Sequence, residues 1–221
     1  MKKRVALSAA LWLLVWCAVW GGFYVLLSLN IDYISRPDVT ALYFSAATVM
    51  AALLPGGLFR TRRDLLQVST LTTPGLALGV AIAVYVTLPR FLSPPWLLIQ
   101  KNPDMFFLKL DLRYLVPKLF DISFQQVLVL LLLLSLRRGG LSVKGTCSTC
   151  CVLFGAPHLF LLDRNGLAVG GYFLIFSLLA GFLFPYIILR YRRGLAYTFS
   201  LHLLFYVATG VLCWLRPSVL W

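Results

Sequence analysis

The sequence predicts an all-α protein, a polytopic bundle of about seven membrane-spanning helices. Of its 221 residues 61% are hydrophobic and only 12% are charged, whereas a soluble domain carries roughly 45–50% apolar and about 25% charged residues. The net charge of +13 lies between the apolar runs and not within them, which is typical of membrane proteins rather than of nucleic-acid binders. This composition excludes a soluble enzyme, a disordered chain and a DNA-binding domain.

Five of the helices follow from the length of uncharged apolar runs, whereas the shorter runs 122–137 and 145–162 become spans if the first begins near Tyr114 and includes Lys118 and Asp121. A run of about 20 residues crosses a hydrocarbon core roughly 30 Å thick, and in lipid the backbone N–H groups must be bonded within the segment, which favours helices. We therefore expect a single membrane domain over residues 1–221, with helices at about 5–29, 39–59, 68–89, 114–136, 146–162, 166–189 and 195–215.

Two segments need separate comment. The first apolar run is about twice as long as the core of a signal peptide and no small-residue cleavage site follows it, so we expect it to be retained as a helix. Residues 90–113 mix aromatic and charged side chains. They predict either a re-entrant or interfacial piece at headgroup level or an ordinary extramembrane loop.

Basic residues are unequally divided between the predicted loops. The N-terminus and the segments after the second, fourth and sixth helices hold three Lys or Arg each, 12 of the 20 in the chain. The opposite short segments hold one each, at Arg36, Arg164 and Arg216. The positive-inside rule then places the N-terminus in the cytoplasm and the C-terminus outside. We expect an integral protein of a bacterial inner membrane.

Few polar side chains lie inside the predicted helices, and they are the candidates for function. A charged group near the bilayer centre costs roughly 2.5–3.5 kcal/mol on insertion scales, so it usually has a partner or a role. At 1.5 Å per residue, Gln125, His158 and His202 lie roughly 16, 18 and 11 Å below the cytoplasmic face. Asp121 shares a helix face with Gln125, four residues on. These depths predict one polar layer within the membrane.

Three short segments carry a resemblance to a known family. They are Phe-Gln-Gln at 124–126, Phe-Gly-Ala-Pro-His at 154–158 and His-Leu-Leu-Phe-Tyr at 202–206. Their order and spacing, over about residues 114–215, resemble the CPBP family of intramembrane proteases, which includes the type II CAAX prenyl endopeptidases. Its motifs read Glu-Glu-x-x-x-Arg, Phe-x-x-x-His and His-x-x-x-Asn. The second motif matches fully, whereas Gln125 and Gln126 replace the Glu pair, Leu130 replaces Arg and Tyr206 replaces Asn.

The resemblance implies an intramembrane peptidase site, but with an altered first motif. In the family, the first-motif Glu is thought to activate water, which requires a proton acceptor. A Gln amide is not one, and all seven acidic residues of this chain are Asp. Either Asp121 acts as the base, or the protein is a catalytically degenerate relative that binds a peptide or partner in a polar cavity. The candidate site residues are Asp121, Gln125, Gln126, His158, His202 and Tyr206.

Other interpretations stay open. The chain also suits a structural or accessory subunit of a larger membrane complex, or a bis-His haem or metal carrier using His158 and His202. A structural alternative is that Lys118 and Asp121, three apart, simply neutralise each other and that the Gln pair bonds helices together. We expect membrane lipid and a peptide or membrane-protein partner, no nucleic acid, and no resident cofactor or metal. The Cys147-x-x-Cys150 pair lacks a second ligand pair at suitable spacing.

Overall fold

The computed structural model describes residues 2–53 and 71–216 and shows an all-α bundle, with no β-strand within these two ranges. The predicted fold class is therefore confirmed. In chain order the helices are α1 Lys2–Ser28, α2 Pro37–Leu53, α3 Thr72–Phe91, α4 Trp96–Lys101, α5 Leu115–Arg138, α6 Val143–Gly155, α7 Leu159–Arg190 and α8 Gly194–Leu215.

Several of these helices have the length and apolar composition of membrane spans. Among the described residues, five segments qualify, and the 17-residue helix α2 is a shorter apolar helix. Large apolar side chains are exposed on their outer faces, including Leu7, Leu11 and Leu14 on α1 and Leu76, Val80 and Ile82 on α3. Such faces suit hydrocarbon rather than water. The chain is an integral membrane protein.

The predicted helix bounds lie within a few residues of the observed ones for α1, α5 and α8 and for the end of α3. Helix α2 begins at Pro37 rather than at residue 39. Its predicted end at 59, the predicted start of the third helix at 68 and the basic residues Arg60, Arg62 and Arg63 lie outside the described residues.

Helices α6 and α7 form a hairpin of 48 residues rather than one straight rod. Gly166 has non-helical dihedrals, φ 75° and ψ 173°, inside α7, a conformation that glycine adopts at low cost. Beyond Gly166 the chain runs back along α6. Gly181 packs against the backbone of α6 so closely that a Cβ on it would lie 2.9 Å from the Cys150 carbonyl oxygen. The fifth and sixth predicted helices are the two arms, and Gly166 is the turn between them.

Helix α5 lies at the centre of the bundle and its side chains are buried on most sides. Helix α1 runs antiparallel to it: Val5 lies beside Gly139, and the Trp12 Nε1–H donates to the Leu128 carbonyl at 3.0 Å. Helices α2, α6 and α8 also contact α5. Lys118, Asp121, Gln125 and Gln126 of α5 are therefore held inside the protein and do not face lipid.

The segment between α3 and α5 packs into one end of the bundle. It contains α4 and two short 3-10 helices, Phe106–Lys109 and Leu112–Tyr114. The Phe107 ring contacts Phe173 and Tyr206, and the Trp214 Nε1–H donates to the Leu108 carbonyl at 2.7 Å. Residues 90–113 therefore pack against the bundle, and both interpretations, a re-entrant or interfacial piece and an extramembrane loop, stay predictions.

Candidate functional site

Asp121 is a fully buried carboxylate whose two oxygens are both occupied. Its Oδ2 accepts from the Lys118 Nζ at 2.7 Å and from the Tyr33 hydroxyl at 2.9 Å, and its Oδ1 accepts from the Gln125 Nε2 at 2.8 Å. The expected neutralisation of Lys118 by Asp121 is confirmed. A buried charge with a close partner and two further donors is the arrangement in which a carboxylate can stay charged without water.

Aromatic rings surround the ammonium group of Lys118. Its Nζ lies 3.7 Å from the ring centroid of Tyr206, 5.7 Å from that of Tyr33 and 6.0 Å from that of Tyr114. Ring faces attract cations at these distances. Together with Asp121 they hold a lysine that is only 4% exposed, and the ion pair leaves this part of the site without net charge.

His202 belongs to a second buried group, on the other side of α5. Its Nδ1 accepts from the Gln126 Nε2 at 3.4 Å, and the Gln126 Oε1 accepts from the Thr198 hydroxyl at 2.9 Å. The imidazole also stacks on Tyr206, with 5.5 Å between centroids and 20° between planes. Tyr206 thus touches both groups, since the same ring lies under Lys118.

His158 lies in the 3-10 turn Ala156–His158 between α6 and α7. Pro157 has no backbone N–H to donate, which suits a position where regular helical bonding is interrupted. The His158 Nδ1–H donates to the Phe154 carbonyl at 2.9 Å, and the two rings stack, because residues four apart lie on one helix face. This bond leaves Nε2 as a hydrogen-bond acceptor on a half-buried ring.

A cavity of about 590 Å³ lies between α1, α5 and residues 156–165, within the range of roughly 300–1,000 Å³ typical of small-molecule sites. Helix α1 supplies an aromatic wall, and the ion pair of Arg164 with Asp104 lies at the end where α1 finishes. The residues that line the cavity include Trp16, Cys17, Trp20, Gly21, Lys118, Gln125, His158 and Tyr206.

The six predicted site residues divide into two sets. Gln125, His158 and Tyr206 line the cavity. Gln126 and His202 contact each other beyond Tyr206, and Asp121 lies behind Lys118 and is absent from the cavity wall. The adjacent residues Gln125 and Gln126 therefore face different surroundings, as expected for neighbours about 100° apart on a helix.

The contribution of α1 to the cavity wall was not predicted from the sequence. Trp16, Trp20 and Tyr24 recur every four residues and line the cavity, so an aromatic repeat on one helix face was the available signal. The hydrogen bond from Tyr33 to Asp121 was not predicted either. Tyr33 lies in a loop 88 positions earlier in the chain, and the sequence has no local signal for this contact.

The cysteines and metal ligands can be placed as well. Within residues 2–53 and 71–216, no group of three or more His, Cys, Asp or Glu side chains is arranged to hold a metal ion. Cys147 and Cys150 are buried and Cys151 is half-buried. Cys213 is buried in the core, whereas Cys17 is exposed on the cavity wall.

The three short segments on which the CPBP resemblance was predicted lie on α5, on α6 with the following turn, and on α8. Three residues depart from the family motifs. Gln125 bonds to Asp121 of the ion pair, Gln126 bonds to the imidazole of His202, and the Tyr206 ring lies under Lys118. No family model, no curated protein and no solved structure matches the chain.

Proposed function

We propose that this chain is a catalytically degenerate, CPBP-like intramembrane protein that binds an apolar ligand or partner segment in the cavity beside α1 and does not cleave it. The observation that carries the proposal is the state of Asp121, the carboxylate nearest the motif residues.

Asp121 is poorly suited to activate water. A general base must reach the proton that it abstracts, directly or through one water. Asp121 is 0% exposed, and its oxygens are occupied by Lys118, Tyr33 and Gln125. Removing it from these partners would leave the Lys118 charge buried and unpaired, which is strongly unfavourable.

The pair of Gln126 and His202 also favours a role in packing over catalysis. Where the family has a carboxylate beside the histidines, this chain has an amide that donates to the His202 Nδ1. Thr198 completes the bonding of the Gln126 amide oxygen. Side-chain hydrogen bonds of this kind join helices within membranes, and here they join α5 to α8.

The cavity itself supports binding. Ligand sites are mainly apolar concavities with a few placed polar groups. The wall here combines Trp16, Trp20 and other rings of α1 with the polar groups of Gln125 and His158.

Peptide cleavage is the direct test. The wild type would be reconstituted in liposomes with a library of transmembrane peptides, beside the His158→Ala and Gln126→Glu variants. We expect no cleavage by the wild type, since an acid–base residue supplies about 10²–10⁴-fold in rate and the Asp121 carboxylate is enclosed by its three partners. Gln126→Glu, which places a carboxylate beside His202, is the control for a restored base. Cleavage by the wild type that disappears in His158→Ala would overturn the proposal.

We further propose that the N-terminus faces the cytoplasm and the C-terminus the outside of a bacterial inner membrane. The contact of Val5 with Gly139 supports this orientation, because it puts the basic N-terminal residues at the same end of the bundle as Arg137 and Arg138. In a background without native cysteines, an impermeant thiol reagent added outside should label cysteines introduced beside Arg36, Lys101 and Arg164. It should miss those beside Arg62, Arg138 and Arg192, and the reverse pattern would overturn the orientation.

A further inference from the structure

The geometry of the cavity points to one class of occupant. We propose that the cavity binds a single-chain amphiphile with an uncharged hydroxyl headgroup, such as a monoacylglycerol. This inference rests on the proposed function and names the ligand of the same site.

Size argues against a transmembrane helix as the occupant. A helix about 10 Å across and 30 Å long fills a cylinder of roughly 2,400 Å³, whereas the cavity holds about 590 Å³. Only a small part of a helix would fit, and its remaining polar backbone would need partners elsewhere. A single hydrocarbon chain with a small headgroup is of suitable size.

The cavity is also long enough to hold a chain lengthwise. On α1 its lining extends from Trp16 to Leu27, and along α5 it extends from Tyr114, directly before the helix, to Gln125. At 1.5 Å per residue each stretch covers roughly 16 Å along its helix axis. The α1 wall is mainly aromatic, and aromatic rings bury large apolar areas with little loss of side-chain freedom.

The polar groups select the headgroup. The Gln125 amide donates to Asp121, so its Oε1 is left as an acceptor, and the His158 Nδ1 is used by Phe154, so its Nε2 is an acceptor too. Lys118 is neutralised by Asp121. Two acceptors beside an ion pair without net charge match a hydroxyl donor and disfavour a carboxylate, which cannot donate.

Two glycines allow a matched test of occupancy. A Cβ on Gly21 or on Gly79 meets no atom within 4 Å, both residues are exposed and helical, and only Gly21 lines the cavity. Gly21→Phe therefore adds a ring to the cavity, whereas Gly79→Phe adds the same ring to the outer surface of α3. Both substitutions raise helix propensity, and equal thermal midpoints would show that both variants fold.

The probe is a long-chain monoacylglycerol, measured by equilibrium binding to the purified protein in detergent. We expect Gly21→Phe to weaken binding at least tenfold and Gly79→Phe to change it less than twofold. His158→Phe, which removes an acceptor, should weaken binding roughly 2- to 12-fold, with little effect on the methyl ester of the same fatty acid.

Several results of these binding measurements would contradict the lipid assignment. Equal binding by the wild type and Gly21→Phe would overturn the inference, and so would tighter binding of the fatty-acid anion than of the monoacylglycerol. If a transmembrane peptide binds the wild type, Gly21→Phe blocks that binding, and the monoacylglycerol does not bind, the occupant is a peptide. This result would overturn the lipid assignment and leave the proposed function standing. Peptide cleavage would overturn the proposed function itself.

Discussion

The two faces of α5 carry the same kinds of side chain but leave them in different states. On the interior face, Gln126 is bonded to His202 and Thr198 through both ends of its amide. On the cavity face, Gln125 uses its amide nitrogen on Asp121, and His158 uses one ring nitrogen on Phe154. One acceptor on each of these two side chains remains for another molecule.

This difference separates residues that hold the bundle together from residues that bind. Unpaired buried polar groups are costly, so an interior polar group is normally satisfied within the protein. Acceptors left open on a cavity wall are available to a ligand. Substitutions on the interior face should therefore change stability, and those on the cavity face should change binding.

The largest effect should come from Asp121→Asn, because this carboxylate is fully bonded within the protein behind Lys118 and does not line the cavity. The substitution keeps the size of the side chain but leaves the Lys118 charge buried and unpaired. Breaking a buried ion pair on one side costs about 3–5 kcal/mol. We expect a loss of that size in the free energy of unfolding, measured by denaturant titration in detergent micelles. A loss below about 1 kcal/mol would show that the pair has little structural role.

A smaller effect should distinguish the two histidines. His202→Leu leaves the Gln126 amide without its acceptor in a buried place, which costs about 1–3 kcal/mol. His158→Leu removes a half-buried ring from the cavity wall, and we expect a smaller loss of stability together with weaker ligand binding. The same denaturant titration measures both. Equal losses in the free energy of unfolding for His202→Leu and His158→Leu would contradict the distinction between the two faces.

The smallest effect concerns an exposed ion pair at the start of α5. The hydrogen-bonded Arg113 guanidinium holds the pKa of Asp111 below its ordinary value. Because the folded-state pKa is lowered, the pair stabilises the protein at neutral pH, and this contribution is lost as the pH falls through the folded pKa, below about 3.9. Solvent screening keeps it small.

Asp111→Asn should thus lower the thermal midpoint slightly at pH 7, with the difference from the wild type vanishing in acid. Asp121→Asn measured in parallel provides the contrast with a buried pair. A larger effect from Asp111→Asn than from Asp121→Asn would contradict the ranking.

Most helices could be predicted from the sequence because a bilayer requires long apolar runs, and the bounds of α8 followed from such a run, whereas α5 had to be extended across Lys118 and Asp121. The pairing of Lys118 with Asp121 was also predictable, since residues three apart are neighbours on a helix. Tyr33 and residues 90–113 could not be placed, because their contacts join segments far apart in the chain. Without them the sequence could not show that Asp121 is enclosed.

The central claim is that Asp121 serves to neutralise Lys118 and not to accept a proton from water. A double-mutant cycle tests it most directly, comparing Lys118→Met, Asp121→Asn and the double variant by their free energies of unfolding. If the claim holds, each single variant loses about 3–5 kcal/mol, and the double variant, which leaves no buried charge at this pair, is more stable than either. Losses that simply add in the double variant would contradict the account.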